Sequence, residues 1–276
     1  MEGSKFVTAR PDQTSLPLLT LSGRPVVAKL YSGDRGEATF AAMQKLWRSS
    51  FGQAKKPPGL PQPIEYVPEV GALIMERLEG RPLVEMAFRV EDYLDASLGL
   101  IAALHECDAA PSRWRTPKKI IRSVQRKVGC IARIAPHYAA VLSDVVRALE
   151  AVKIPSPQLV PCHGDFSARN VLVGENRIAL IDWDRFQWAD PARDVVYLGT
   201  WHWVSALRRD EPPDWTLLMR SLAGYRAIRP GVELESQVGF YVAAALVRIA
   251  ASLVELWSVE GKVVPQIAAE ALRQLK

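Results

Sequence analysis

The chain predicts an α+β fold in two lobes: a small β-rich lobe with one helix, then a larger, mainly helical lobe that carries a β-hairpin. Three patterns point there. β-prone runs punctuated by turn residues fill the sequence up to about residue 80. Beyond it, apolar residues recur at helical spacing. One hairpin signal, around Gly174-Glu175-Asn176, interrupts the helical part.

Lys5 to Arg10 and Leu16 to Leu21 are extended candidates on either side of the turn-forming segment Pro11 to Ser15. Ser22-Gly23 turns the chain into Pro25-Val26-Val27-Ala28-Lys29-Leu30-Tyr31, a strongly β-prone third run. Gly36 to Phe51 places Phe40, Met43, Leu46 and Trp47 on one side of a helix, which the proline-rich segment Pro57 to Pro63 breaks. Strands near Ile64 to Val67 and Ala72 to Glu76 complete a lobe of five strands and one helix over residues 1–79, with a connector at about 75–80. Residues 80–276 form the second lobe. Its helices read as Glu91 to Glu106, Lys118 to Arg133, His137 to Val152, Ala192 to Leu207, Trp215 to Ile228, Glu233 to Ser258 and Val263 to Leu275.

Composition bounds the class. With 276 residues, 49% hydrophobic and 24% charged, the chain reads as globular. A formal charge of +5 is too mild an excess to imply nucleic acid, and none is expected. Three widely spaced cysteines support neither a disulfide framework nor a metal knuckle, and fit reduced thiols in a cytoplasmic protein. The first residues lack the apolar stretch of a signal peptide. Val238 to Trp257 is the most apolar later segment, but Glu235 and Arg248 bracket only twelve residues, fewer than the ~20 of a membrane span. It reads as a buried helix, and oligomeric state is left open.

The chemistry concentrates in His163-Gly164-Asp165-Phe166-Ser167-Ala168-Arg169-Asn170 and the hairpin that follows, which ends at Asp182. A turn centred on Glu175 and Asn176 sets Asn170 beside Asp182, with Asp165 just upstream. An amide oxygen and a carboxylate suit Mg²⁺, which takes hard oxygen ligands. Asp165 would remain to accept a proton or orient a hydroxyl.

H-G-D-x-x-x-x-N followed by a hairpin and I-D-W-D resembles the aminoglycoside phosphotransferase family of small-molecule kinases, relatives of the protein kinases. The resemblance implies a bilobal protein-kinase-like fold and ATP as phosphoryl donor, with GTP left open. It further implies Asp165 as catalytic base, Asn170 and Asp182 as catalytic metal ligands, and His163 and Asp194 as supports of the loop. Ser167 stands where protein kinases acting on Ser/Thr usually have lysine, and Trp183-Asp184 replaces the Phe-Gly of D-F-G. Both departures favour a small-molecule hydroxyl acceptor over a protein.

On the same resemblance, Lys29 binds the inner phosphates and pairs with Glu37 in the first turn of the following helix. The backbone around Glu76 to Leu78 holds adenine, with Met75 lining its pocket. No glycine lies between Pro11 and Ser15, so phosphate contacts there fall to Thr14 and Ser15. Trp183, Trp188, Trp201, Trp203 and Trp215 read either as core or as surfaces that stack on sugars or embrace a quaternary amine. Lys118, Arg122 and Arg126 give one helix a cationic face, with Arg113, Arg115, Lys119, Lys127 and Arg133 nearby. A solvated face is the default reading of that stripe. If it borders the acceptor cleft, it favours a phosphorylated or acidic acceptor over a polycation. Two other classes stand beside the kinase reading. One is a catalytically silent kinase-like nucleotide-binding protein; the other is a binder of anionic polymers or membrane surfaces.

Overall fold

The computed structural model describes residues 13–19, 23, 25–86, 90–154, 158–256 and 262–276. Strand β1 (Gln13–Leu19) pairs antiparallel with β2 (Pro25–Tyr31). Helix α1 (Arg35–Arg48) then buries Met43 and Leu46, and the extended backbone of Ser49 separates it from the short α2 (Ser50–Gln53). Strands β3 (Pro63–Val67) and β4 (Ala72–Glu76) complete a sheet of order β1-β2-β4-β3. Pro17, which cannot donate to a ladder, sits on the edge strand of that order, where its missing N–H is tolerated.

The connector is stitched to the second lobe. Strand β5 (Arg81–Pro82) pairs with the hairpin described below, and the Val84 N–H donates to Ala168 O at 2.9 Å. Helix α3 (Leu94–Glu106), strand β6 (Trp114–Arg115), α4 (Pro117–Ile131) and α5 (Pro136–Ala151) follow. Both α4 and α5 begin on proline, which suits a first helical residue because the N–H it lacks would be unpaired there. Then come β7 (Val160–Cys162), the hairpin β8 (Val171–Val173) and β9 (Ile178–Leu180), and β10 (Gln187–Ala189). Helices α6 (Ala192–Arg208), α7 (Thr216–Ile228), α8 (Glu235–Leu256) and α9 (Val264–Arg273) close the lobe.

The fold is the bilobal, protein-kinase-like α+β arrangement. Helix α8 is its hydrophobic axis, packed by α4, α5, α6 and α9. By length and composition its Gln237–Glu255 stretch is apolar enough to cross a membrane, so the charge-based argument against a span was too strict. Yet 78% of that window is buried inside the fold, as a core helix requires.

The structure departs from the sequence reading in a few places. Gln13 to Ser15, expected in a turn, pair with Tyr31 to Lys29 as part of β1. The expected strand Lys5 to Arg10 lies outside the described residues. Four short strands, β5, β6, β7 and β10, were not anticipated, because two or three residues are too few to display a period.

Candidate active site

Strand β7 delivers the chain into His163-Gly164-Asp165, and β8 and β9 form the hairpin beyond it. Val173 pairs with Ile178 and Val171 with Leu180, so the turn centres between Glu175 and Asn176. One step further the Ile181 N–H donates to Asn170 O at 3.0 Å, which sets Asn170 next to the chain leading into Asp182. Asn170 also donates its side-chain N–H to the Asp165 main-chain oxygen at 2.8 Å. Gly164 has φ +80, and an added Cβ would lie 2.6 Å from Arg185 O, so only glycine fits there without strain.

Asp194, buried in the first turn of α6, grips this loop. Its two carboxylate oxygens accept the His163 N–H at 2.7 Å and the Gly164 N–H at 2.8 Å. Burial pushes its pKa up, but the His105 hydrogen bond and the neighbouring positive groups leave it below the usual carboxylate range. The His163 ring packs edge-on to Trp183 and bonds Ile181 O through Nε2 at 3.0 Å.

From the small lobe, Lys29 reaches across to the loop after the hairpin. Its ammonium lies 2.7 Å from Asp182 Oδ1 and 3.0 Å from Asp184 Oδ2. Burial alone would lower the lysine pKa, but the two carboxylates raise it above the ordinary value. Tyr31 donates to Asp184 Oδ1 at 2.6 Å, and Thr39 on α1 reaches the same oxygen at 3.4 Å. Asp184 therefore ties β2, α1 and the loop to one carboxylate.

Asp165 faces two guanidinium groups, Arg248 of α8 at 3.0 Å and Arg185 at 3.7 Å. Arg185 is itself held: burial would lower its pKa, but Asp165 and the other negative groups around it raise it.

The donor set suits a hard divalent cation. Asp182 supplies a carboxylate from a left-handed backbone at φ 66°, a conformation that costs energy and concentrates at functional sites. Because Asn170 spends its amide nitrogen on Asp165 O, its side-chain oxygen, with its lone pairs, is the atom that could ligate a cation. Two hard oxygens at one hairpin end match the preference of Mg²⁺.

At the connector, the Glu76 side chain accepts Gln62 N–H at 2.9 Å and pairs with Arg177 at 2.8 Å. Arg177 also donates to Pro58 O and Leu60 O, so the hairpin turn is locked to the small lobe. The N–H groups of Glu76 and Arg77 are taken by Gln62 O and Pro25 O. Leu78 is half-buried, and its N–H has no hydrogen-bond partner among the described residues. Met75 is half-buried and packs against the core.

Some expected residues are elsewhere. Glu37 is exposed, and the implied Lys29–Glu37 pair is absent because Lys29 is drawn to Asp182 and Asp184 instead. Ser15 is an exposed β1 residue opposite Lys29. Thr14 lies opposite Leu30, but its side chain is outside the described residues. Trp183 and Trp203 are core residues, and Trp203 stacks on Trp215 at 5.3 Å. Sequence reasoning noted Asp184 only as part of the Trp183-Asp184 pair that replaces Phe-Gly, and gave Arg177, Arg185 and Arg248 no role at the site. The second aspartate of I-D-W-D, two residues after Asp182, was the available signal for Asp184.

A family model described as "Phosphotransferase enzyme family" (APH) matches residues 18–230. No curated protein matches the chain. Among solved structures, choline kinase from Cryptosporidium parvum Iowa II is 13% identical, with 98% of this chain and 87% of that one covered at TM-score 0.67. A thermostable mutant of aminoglycoside phosphotransferase APH(4)-Ia, solved with AMP-PNP and hygromycin B, is 16% identical. It covers 98% and 92% of the two chains at TM-score 0.64. Spectinomycin phosphotransferase APH(9)-Ia, solved with ADP and spectinomycin, is also 16% identical, covering 98% and 87% at TM-score 0.62.

Proposed function

Because the chain belongs to the phosphotransferase enzyme family, we propose that it moves the γ-phosphoryl group of ATP to a hydroxyl of a small molecule. The observation that carries this reading is the Lys29 ammonium poised on Asp182 beside the loop that bears Asp165. Similar folds have been solved with ADP and with AMP-PNP, which supports an adenine nucleotide as donor.

Each group then has a task. Lys29 releases part of its hold on Asp182 and Asp184 and takes the inner phosphates. Glu76 to Leu78 receive adenine, with the Leu78 N–H as a donor and Met75 against the ring. Asp182 and Asn170 would hold Mg²⁺, which when bound neutralises phosphate charge. Asp165 orients the acceptor hydroxyl and accepts its proton. The acceptor oxygen forms a bond to the γ-phosphorus, the bond from that phosphorus to the bridging β–γ oxygen breaks, and ADP leaves. A loose transition state asks for positioning and charge neutralisation more than for a strong base. His163 and Asp194 keep the loop in shape.

A second reading, a silent nucleotide-binding protein, draws on one observation: Asp165 is already ion-paired to Arg248 and Arg185. Multiple-turnover ATP consumption over an acceptor panel separates the two. The phosphotransferase reading expects acceptor-dependent turnover that falls by orders of magnitude in Asp165→Ala. Nucleotide binding with no turnover on any acceptor favours the silent protein.

A further inference from the structure

A cavity of about 430 Å³ opens beside the Asp165 loop, in the size range of small-molecule sites. Its wall carries eight basic side chains and one acid, Asp184, which Lys29 and Tyr31 already occupy. Arg113 and Arg115 come from the β6 segment, Arg126 and Lys127 from α4, Arg193 from the first turn of α6 and Arg248 from α8. Arg126 is itself exposed at the cavity wall, whereas Lys118, Lys119 and Arg122 are exposed and do not line it.

Three of these cations are balanced: Lys127 pairs with Glu255 at 2.9 Å, and Arg248 and Arg185 share Asp165 at 3.0 and 3.7 Å. Arg113, Arg115, Arg126 and Arg193 form no ion pair among the described residues. Their hydrogen bonds go to neutral oxygens: Arg113 to the Asp184 main-chain carbonyl, Arg193 to Gly164 O and Arg115 to Gln187 Oε1. Neutral acceptors satisfy donors without cancelling charge. Arg193 keeps its buried Nε unpartnered, and burial with the repulsion of Arg248 and Arg115 pushes its pKa down to about 9. Arg115 is lowered by burial and then by Arg248, Arg185, Arg113 and Arg126. Like charges gathered in a partly dry pocket with spare donors await an anion. A cationic acceptor meets the opposite. The Tyr197 ring, which a quaternary amine could use, is covered by the Arg248 guanidinium at 4.2 Å from its centroid.

We infer that the acceptor is a small alcohol bearing a phosphate or comparable dianion, anchored by Arg113, Arg115, Arg126 and Arg193 with its hydroxyl directed to Asp165. This rests on the phosphotransferase reading for the word acceptor, while the anion cradle stands on the arginines alone. Arg248 joins the two halves of the site, because it lines the cavity and also pairs with Asp165.

The test is calorimetric binding of inorganic phosphate, glucose 6-phosphate, choline and kanamycin to protein saturated with Mg-AMP-PNP, so that the nucleotide site is filled. Phosphate and the phosphate monoester should bind. Both should weaken at least about tenfold in Arg115→Ala/Arg126→Ala, the loss of one or two charge-assisted hydrogen bonds. Arg115→Lys/Arg126→Lys should recover part of that affinity, which a mere folding defect would not allow. The inference is overturned if phosphate does not bind at millimolar concentration, if the alanine pair leaves its binding unchanged, or if choline or kanamycin binds more tightly than phosphate. If AMP-PNP fails to bind while phosphate still depends on Arg115 and Arg126, the phosphotransferase reading falls and the anion site remains.

Discussion

Lys29 Nζ lies 2.7 Å from Asp182 Oδ1, joining the middle of a small-lobe strand to the end of the hairpin 153 residues later. One contact thus couples the two lobes and holds beside a cation the carboxylate proposed as a metal ligand. Removing the lysine leaves Asp182 and Asp184 facing each other without it. Lys29→Ala should therefore lose roughly 2 kcal/mol of stability in urea denaturation, less than a fully buried pair because Asp182 keeps contact with water. It should also weaken AMP-PNP binding, read by calorimetry.

Asp184, not Glu37, is the acid that supports Lys29 alongside Asp182. Glu37→Ala should stay within about 0.5 kcal/mol of wild type in stability, as for exposed sites generally. Asp184→Ala should lower stability by about 1–3 kcal/mol, since Tyr31 loses its acceptor and Lys29 one of its two carboxylates. Paired thermal melts of the two variants check this. Equal effects would contradict the assignment.

The carboxylate of Asp194 accepts the main-chain N–H groups of His163 and Gly164, and asparagine keeps only one accepting oxygen. Asp194→Asn turns an amide nitrogen toward one of those N–H groups. A loss of about 3 kcal/mol is expected, with a falling melting temperature and a fall in turnover as the loop loosens.

Burial raises the Asp190 carboxyl from 3.8 to about 6, against the hydrogen bonds from Ala192 and Gln237. Its folded pKa lies above its unfolded one, so the folded state holds the proton longer. The destabilisation is therefore absent below about pH 4 and complete once pH has risen through about 6, and it amounts to about 3 kcal/mol. Asp190→Asn keeps an oxygen for the Ala192 N–H and should flatten this part of the stability profile. Urea melts of both proteins between these pH values test the sign.

Much of this architecture was legible in the chain. The hairpin register followed from Gly174-Glu175-Asn176 between two β-prone runs, because a short turn fixes which residues face each other. The second-lobe helices announced themselves by apolar residues at helical spacing. Other features left no local trace. Arg248 pairs with Asp165 from 83 residues away, and nothing in the α8 stripe marks one arginine as inward-facing. Glu37 occupied the sequence position expected of a lysine partner, but Asp184 supplied the nearer carboxylate from another lobe. The basic stripe on α4 divided, with Arg126 and Lys127 toward the cavity and the remainder toward solvent; only the packing of α4 on α5 and α8 decides which side is which.

The most direct measurement needs no knowledge of the acceptor: AMP-PNP affinity with and without Mg²⁺ in wild type, Asp182→Ala and Asp165→Ala. Tight binding that requires Mg²⁺, weakens at least about tenfold in Asp182→Ala and persists in Asp165→Ala is the predicted result. Binding indifferent to Mg²⁺ and to Asp182, or no binding by the wild-type protein, would contradict a phosphoryl-transfer centre at this hairpin.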